Sequence, residues 1–341
     1  MSEIPDSLTL PLISIIVPIR NEETYIARCL DSLLTQDYPH ERLEVLVVDG
    51  RSDDATQEIV ADYSQRHRWI RLLDNPERTA PYALNYGLDA ARGAIIVRVD
   101  GHCELAADYL STAVRLLDET DAACVGGPLT SVGDGWRAQA IAMAMSTPFG
   151  VGNAKFRYAD TAGYVDTVAF GAYRRKAIDA VGRFNPELTR NQDDEYNWRL
   201  RAAGFKIWLS PELKAVYYTR GRYRQLWSQY FQYGFWKIRV LRQHPGSLQP
   251  RHLAPALFVL ALAASSVSAL CSRRGKWLLG AIAAPYSAGA LAFGLRRSAR
   301  QPRYLPGILA AFPILHLAYG FGFLAGLAAE LRRTRRQDKA S

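Results

Sequence analysis

The segment "IIVRVDGHCE" runs through Ile95, Ile96, Val97 and Val99 and then ends in Asp100, Gly101 and His102. A carboxylate and an imidazole two residues apart at a strand tip are donors suited to a divalent cation; a turn is the plainer use of the same residues. Other acids occupy similar tips. In "VVDGRSDDAT" Asp49 ends an apolar run, and Asp53 or Asp54 stands where it can cap the next helix. Acids around a phosphate-bearing ligand repel it unless a cation lies between them. One such tip is a turn or a cap; several in one crevice point to metal-assisted binding of a phosphate.

The elements that would gather these tips are legible in the periodicity. Apolar runs of strand length occur at Leu12–Ile19, Leu43–Val48, Trp69–Leu73, Ala94–Val99 and Ala122–Val125. Between them lie amphipathic stretches of helical length near Glu23–Thr35, Asp54–Gln65, Pro81–Ala91 and Ala106–Leu117. This alternation predicts βαβ units, an α/β class and a mostly parallel sheet covered on both faces. Ligands of such sheets bind beyond the carboxyl ends of the strands. There stand Pro18-Ile19-Arg20-Asn21-Glu22, Asp49, "DNPERTAPYALN" and Asp100-Gly101-His102. No tip holds G-x-G-x-x-G or G-x-x-x-x-G-K-[ST], which excludes the usual dinucleotide and P-loop fingerprints.

The net charge of +9 has a location that bears on partners. From Arg251 onward there are 13 Lys and Arg against 2 Asp and Glu, leaving 29 basic and 31 acidic residues before that point. A nucleic-acid enzyme is expected to spread basic residues over its working face, so no nucleic-acid partner is expected. The basic tail is also apolar. Leu253–Leu270, Leu278–Leu295 and Leu305–Ala329 contain no charged residue and are flanked by basic clusters, which predicts a helical membrane domain with headgroup contacts. A buried helical subdomain is the alternative. The opening "MSEIPDSLTL" lacks the pattern of a secretory signal, and Cys29, Cys103, Cys124 and Cys271 show no paired spacing, so a reducing compartment and no zinc cluster are expected.

In order, "SIIVPIRNEE", "EVLVVDGRSDDAT", "ALNYGLDAARGAIIVRVDGHC", "GAYRRKAIDAVGRFNPEL" and "NQDDEYNWRLRAAGFKIW" resemble the inverting family 2 glycosyltransferases of the GT-A fold over residues 11–240. "RVDGH", "NQDDE" and "QYFQYG" are most similar to membrane-associated bacterial exopolysaccharide transferases of the succinoglycan glucosyltransferase type. The resemblance implies a nucleotide-sugar donor, a UDP-hexose, and a lipid-linked saccharide acceptor. Pro18, Arg20 and Glu22 then fall at the nucleoside, Asp49 at the uracil ring, and Arg78 or Thr79 near the donor. Asp100 falls at the D-x-D position that holds Mn²⁺ or Mg²⁺ on the diphosphate. His102 replaces the second acid; it either ligates metal, favouring Mn²⁺, or donates a hydrogen bond to phosphate.

Inversion needs a base for the acceptor hydroxyl. Counting back from Arg199 in the family's pattern puts Asp193 there, with Gln192 in place of the preceding Glu and Asp194 as runner-up. The plainer reading is that Asp193, Asp194 and Glu195 favour the positive end of a helix. Gln229, Tyr233 and Gly234 fall in a region that closes over donor and acceptor in the family, although the family's Arg-Trp pair is not matched. The surrounding aromatic and basic stretch predicts an interfacial helix.

The expected organisation is a cytosolic GT-A domain over 1–220, amphipathic interfacial helices over 221–252 and a membrane domain over 253–341, multi-pass in the inner membrane. A polyprenyl-phosphate sugar synthase and a non-catalytic nucleotide-sugar-binding membrane protein are the rival functions. Two topologies remain: three spans with an external C-terminus, or one re-entrant or interfacial segment with the tail inside.

Overall fold

The computed structural model describes residues 10–219 and 221–337, with side chains described as far as 333. The opening stretch through residue 9, Arg220, residues 338–341 and the side chains of Arg335 and Arg336 lie outside the described residues. The strands are β1 Ile13–Ile19, β2 Leu43–Asp49, β3 Ile70–Asp74, β4 Ile95–Arg98, β5 Cys103–Leu105, β6 Ala122–Gly127, β7 Leu129–Val132, β8 Gly163–Tyr164, β9 Ala169–Arg174, β10 Lys206–Leu209 and β11 Ala215–Tyr218. The first eight helices are α1 Ile26–Leu34, α2 Thr56–Arg66, α3 Ala80–Ala90, α4 Tyr109–Glu119, α5 Trp136–Met145, α6 Pro148–Val151, α7 Arg175–Val181 and α8 Gln192–Ala202. Four longer ones follow: α9 Tyr223–Gln243, α10 Pro250–Cys271, α11 Arg273–Ser298 and α12 Leu305–Gln337.

The chain forms two compact units, one of residues 1–130 and 158–217, the other of 131–157 and 218–341. This division differs from the boundary drawn at 220, because residues 131–157 belong with the C-terminal helices. The first unit is built on an eight-stranded sheet in the order β3-β2-β1-β4-β9-β6-β10-β8. Strands β3, β2, β1 and β4 run parallel; β1, β2 and β4 are buried along almost their whole length, as suits apolar strands covered on both faces, while β3 is the partly exposed edge. Strand β9 enters antiparallel between β4 and β6, so the sheet is mixed. Register sets Ile19 beside Asp49 and Asp49 beside Asp74. The loops after β1, β2 and β3 therefore leave the sheet side by side.

In the second unit, α5, α9, α11 and α12 enclose a core containing Ile141, Met145, Leu226, Tyr230, Ala290, Ile308, Phe312 and Leu315. The interfacial helix expected from sequence is α9, and its inner face is packed on α12. A Cβ on Gly234 would collide with the Tyr319 carbonyl, and one on Gly322 with the Phe231 carbonyl. These glycines let the two backbones approach closely. Three helices, Pro250–Cys271, Arg273–Ser298 and Pro302–Arg333 with its short leading turn, are long and apolar enough to cross a membrane. The middle one continues through Pro285 without a break.

Candidate active site

The loops beyond β1 and β2 are fastened to each other by polar side chains. Asn21 N donates to Ser52 Oγ at 2.8 Å, and Asp53 N donates to Asn21 Oδ1 at 3.0 Å. Glu22 N donates to Thr56 Oγ1 at 2.8 Å, while Thr56 N donates to Asp54 Oδ1 at 3.0 Å. The cap position before α2 is Ala55, with no side-chain cap; Asp54, one residue earlier, accepts from the first helical N–H instead. Asn21, Arg51 and Arg78, one in each of the first three loops, have φ of 57°, 52° and 59°. Such values are uncommon outside glycine and gather where function constrains the backbone.

Asp49 is 2% exposed and orders its own loop. Its Oδ1 accepts from Ser52 Oγ at 2.5 Å; Oδ2 accepts from Ser52 N at 3.0 Å and Gln57 Nε2 at 2.5 Å. Ser52 and Gln57 were not marked by the sequence reading. A Cβ added at Gly50 would lie 3.4 Å from Arg20 Cβ and 3.3 Å from Arg78 Cα, so these two expected donor contacts flank one small residue. Arg20 and Arg78 are exposed and Pro18 is half-buried. Nearby, Thr79 Oγ1 and Asn75 Oδ1 are buried without partners among the described residues.

Beyond β4 the structure joins the metal motif to the candidate base. Arg98 Nη2 lies 2.6 Å from Asp100 Oδ1 and Nη1 lies 3.2 Å from Asp193 Oδ2. Burial opposes the arginine charge, but Asp100 and Asp193 outweigh it and hold Arg98 firmly protonated. Burial raises Asp193 above the ordinary carboxylate range; Arg98 pulls it back, and Asp100 and Asp194 push it further up. Its Oδ1 is buried with no hydrogen-bond partner among the described residues. The side chain as a whole remains 32% exposed.

Gly101 permits close packing, since a Cβ there would sit 2.6 Å from Ile19 Cγ2. The His102 ring lies edge-on to Tyr217 at 5.0 Å, and its Nδ1 is 2.9 Å from Glu22 Oε1. Glu22, expected at the donor, is thus a partner of the metal-motif histidine. The Asp100 carbonyl accepts from the Cys103 thiol at 2.9 Å. Cys29, Cys103 and Cys124 are buried and all four cysteines are free.

Two of the three acids opening α8 have distinct partners. Glu195 is buried and ion-paired to Arg199 at 2.7 Å, and Arg199 also donates to the Val181 carbonyl at 2.6 Å. That pair ties the helix to the segment before it. Asp193 is the acid that Arg98 links to Asp100. Gln229, Tyr233 and Gly234 lie in the second unit, where Gln229 Nε2 donates to Tyr233 Oη at 2.9 Å and Gly234 packs on α12. Arg98 was missed by the sequence reading, although a cation interrupting "AIIVRVD" was a visible signal.

The family model described as glycosyl transferase family 2 matches residues 14–182. A Methanococcus voltae protein named dolichyl N-acetyl-alpha-D-glucosaminyl phosphate 3-beta-D-2,3-diacetamido-2,3-dideoxy-beta-D-glucuronosyltransferase is 31% identical, the match covering 68% of this chain and 74% of the relative. Succinoglycan biosynthesis protein ExoA of Rhizobium meliloti is 28% identical, covering 96% of this chain and 98% of its own. Among solved structures, a Pyrobaculum calidifontis mannosyltransferase in complex with GDP-Man and Mn²⁺ has a TM-score of 0.55 at 22% identity, covering 92% of this chain and 88% of that one. That likeness shows the fold. With the mixed sheet, its fastened loops and these relatives in hand, the chain belongs to glycosyl transferase family 2 and is a glycosyltransferase of the GT-A fold.

Proposed function

We propose that the enzyme transfers a hexose, with inversion, from a nucleotide sugar of the UDP type to a saccharide carried on polyprenyl diphosphate. The setting would be exopolysaccharide or cell-surface glycan synthesis at the cytosolic face of the inner membrane. The observation that carries the chemistry is the partly exposed Asp193 carboxylate, held through Oδ2 by Arg98 and joined by it to Asp100. In the step, the acceptor hydroxyl oxygen bonds to the anomeric carbon as its proton passes to the Asp193 carboxylate. The bond from that carbon to the diphosphate breaks, and the nucleoside diphosphate leaves with the electron pair.

The donor set fits a divalent cation. Asp100 offers a carboxylate; His102, with Nδ1 against the Glu22 carboxylate, is oriented to keep its proton there and its lone pair on Nε2. Among the described residues no group of three or more His, Cys, Asp or Glu gathers as a metal cage, so diphosphate oxygens would complete the coordination. Bound there, Mn²⁺ or Mg²⁺ would offset charge on the departing diphosphate. The lipid-linked acceptor is supported by the three apolar helices and by the dolichyl phosphate saccharide in the name of the Methanococcus relative.

The test is to incubate purified full-length protein with UDP- and GDP-hexoses and polyprenyl-linked saccharides, then determine product mass and linkage. A lipid saccharide lengthened by one hexose of inverted configuration is expected. Transfer to bare polyprenyl phosphate alone would replace this reading with that of a polyprenyl-phosphate sugar synthase, and nucleotide binding without transfer would make the protein a non-catalytic binder.

A further inference from the structure

Arg98 brings a charge into an apolar strand, and its guanidinium spans two carboxylates from distant parts of the chain. The Nη2 contact to Asp100 is 2.6 Å and the Nη1 contact to Asp193 is 3.2 Å, with the Arg98 side chain only 13% exposed. A guanidinium presents its N–H groups in a rigid planar fork, so two anions held by its Nη atoms keep a fixed separation. Lysine, a single ammonium on a flexible stem, lacks that fork. The contacts are one-sided. Arg98 takes Oδ2 of Asp193, while Oδ1 is buried and has no hydrogen-bond partner among the described residues.

We propose that Arg98 is a positioning residue for glycosyl transfer. It holds Asp193 by Oδ2, which fixes the plane of the carboxylate, and it sets that carboxylate at a fixed distance from Asp100 on the donor side. The assignment rests on Asp193 being the base. Its rival is a purely structural clamp, because a shielded cation between two carboxylates also stabilises the surrounding fold. The two differ in what a substitution does. A positioning residue acts through Asp193, so removing both groups costs no more than removing Asp193 alone. A structural clamp lowers stability, nucleotide binding and turnover together.

The experiment uses the full-length protein in detergent, with Arg98→Met, Arg98→Lys, Asp193→Asn and the Arg98→Met/Asp193→Asn double variant. Turnover is followed with the hexose donor and lipid-linked acceptor found active above, and UDP affinity is measured in Mn²⁺ by calorimetry. Misplacement of a reacting group by about 1 Å costs on the order of 10²-fold, so Arg98→Met is expected to lower kcat by about 10- to 100-fold. The double variant is expected within about threefold of Asp193→Asn, and Mn²⁺–UDP affinity in Arg98→Met is expected to be unchanged or tighter. If Arg98→Met does not fold, Arg98→Lys gives the decision: reduced kcat with retained UDP affinity supports the proposal, and wild-type kcat overturns it. Multiplicative losses in the double variant, or joint loss of UDP binding and kcat in a folded Arg98 variant, overturn the positioning role while leaving Asp193 as base. Full turnover by Asp193→Asn removes the base assignment and the proposal with it.

Discussion

His102 and Glu22 are 80 positions apart in sequence, yet Nδ1 of the histidine lies 2.9 Å from Oε1 of the glutamate. The contact gives the imidazole an orientation that the Asp-Gly-His spacing alone does not specify. A carboxylate behind a ligating histidine fixes its tautomer and raises its basicity, and loss of such a partner typically costs about 10- to 100-fold in metal affinity. Glu22→Gln is therefore expected to weaken Mn²⁺-dependent UDP binding within that range, as measured by calorimetry. His102→Asp supplies a second carboxylate and should move the preference from Mn²⁺ towards Mg²⁺. An unchanged ratio of Mn²⁺- to Mg²⁺-supported activity in that variant would show that His102 is not a ligand.

Asp193 yields a prediction in pH. Burial raises its pKa above the ordinary carboxylate value, Arg98 draws it back, and Asp100 and Asp194 add to the rise. The base works ionised, so activity should fall as pH drops through a value above about 3.9, the unperturbed carboxylate pKa. The linkage to stability has the opposite sense. The stabilising contribution of this raised acid is full below its unfolded value and is lost as pH climbs through the folded one. Asp193→Asn should lower kcat by at least about 10²-fold with little change in UDP affinity. A kcat–pH profile for the variant that keeps the wild-type acid limb at wild-type height would rule out this residue as the base.

The legible parts of the molecule were those written locally. Strands β1 to β4 and helices α1 to α4 match the sequence expectation to within a few residues, because long apolar runs and amphipathic periods repeat there without interruption. Strand β9 was not foreseen as a strand: "AFGAYR" has no long apolar run, and it is stabilised by neighbours on both sides. Helix α5, "WRAQAIAMAM", is apolar around much of its circumference because it is buried among α9, α11 and α12, which arrive much later in the chain. The site was legible in its acids but not in their partners. Nothing in spacing connects Arg98 with Asp193 or Glu22 with His102; only the sheet order and the loops it gathers bring them together.

That placement of α5 sharpens what truncation should do. Removing residues 253–341 takes away Ile308, Phe312 and Leu315, against which Ile141, Met145, Leu226 and Tyr230 are buried. Burying one large apolar side chain contributes roughly 1.5–3 kcal/mol, so uncovering this set is expected to leave a protein that aggregates. Size-exclusion chromatography without detergent provides the measurement. A monodisperse truncation with full transfer to the lipid-linked acceptor would refute both the packing argument and the membrane-acceptor reading. A second truncation that also replaces residues 131–157 with a short linker should be more soluble than the first.

Membrane topology can be read with a residue already present. Among the described residues Cys271 is the exposed cysteine, and it ends α10 just before the turn at Ser272. The 22 residues of α10 extend about 33 Å at 1.5 Å per residue, enough for a hydrocarbon core of about 30 Å. If the catalytic unit lies in the cytosol, as proposed above, a crossing α10 puts Cys271 outside, together with Arg273, Arg274 and Lys276. Positive residues near span ends favour the cytosolic side, so this turn opposes the usual rule. The continuity of α11 through Pro285 favours full crossings over a broken, re-entrant middle segment. A membrane-impermeant maleimide is therefore expected to label Cys271 in intact cells whose outer envelope is open to the reagent, and Cys271→Ser should abolish the signal. Labelling only after permeabilisation would place the basic turn inside and make α10 the re-entrant or interfacial segment.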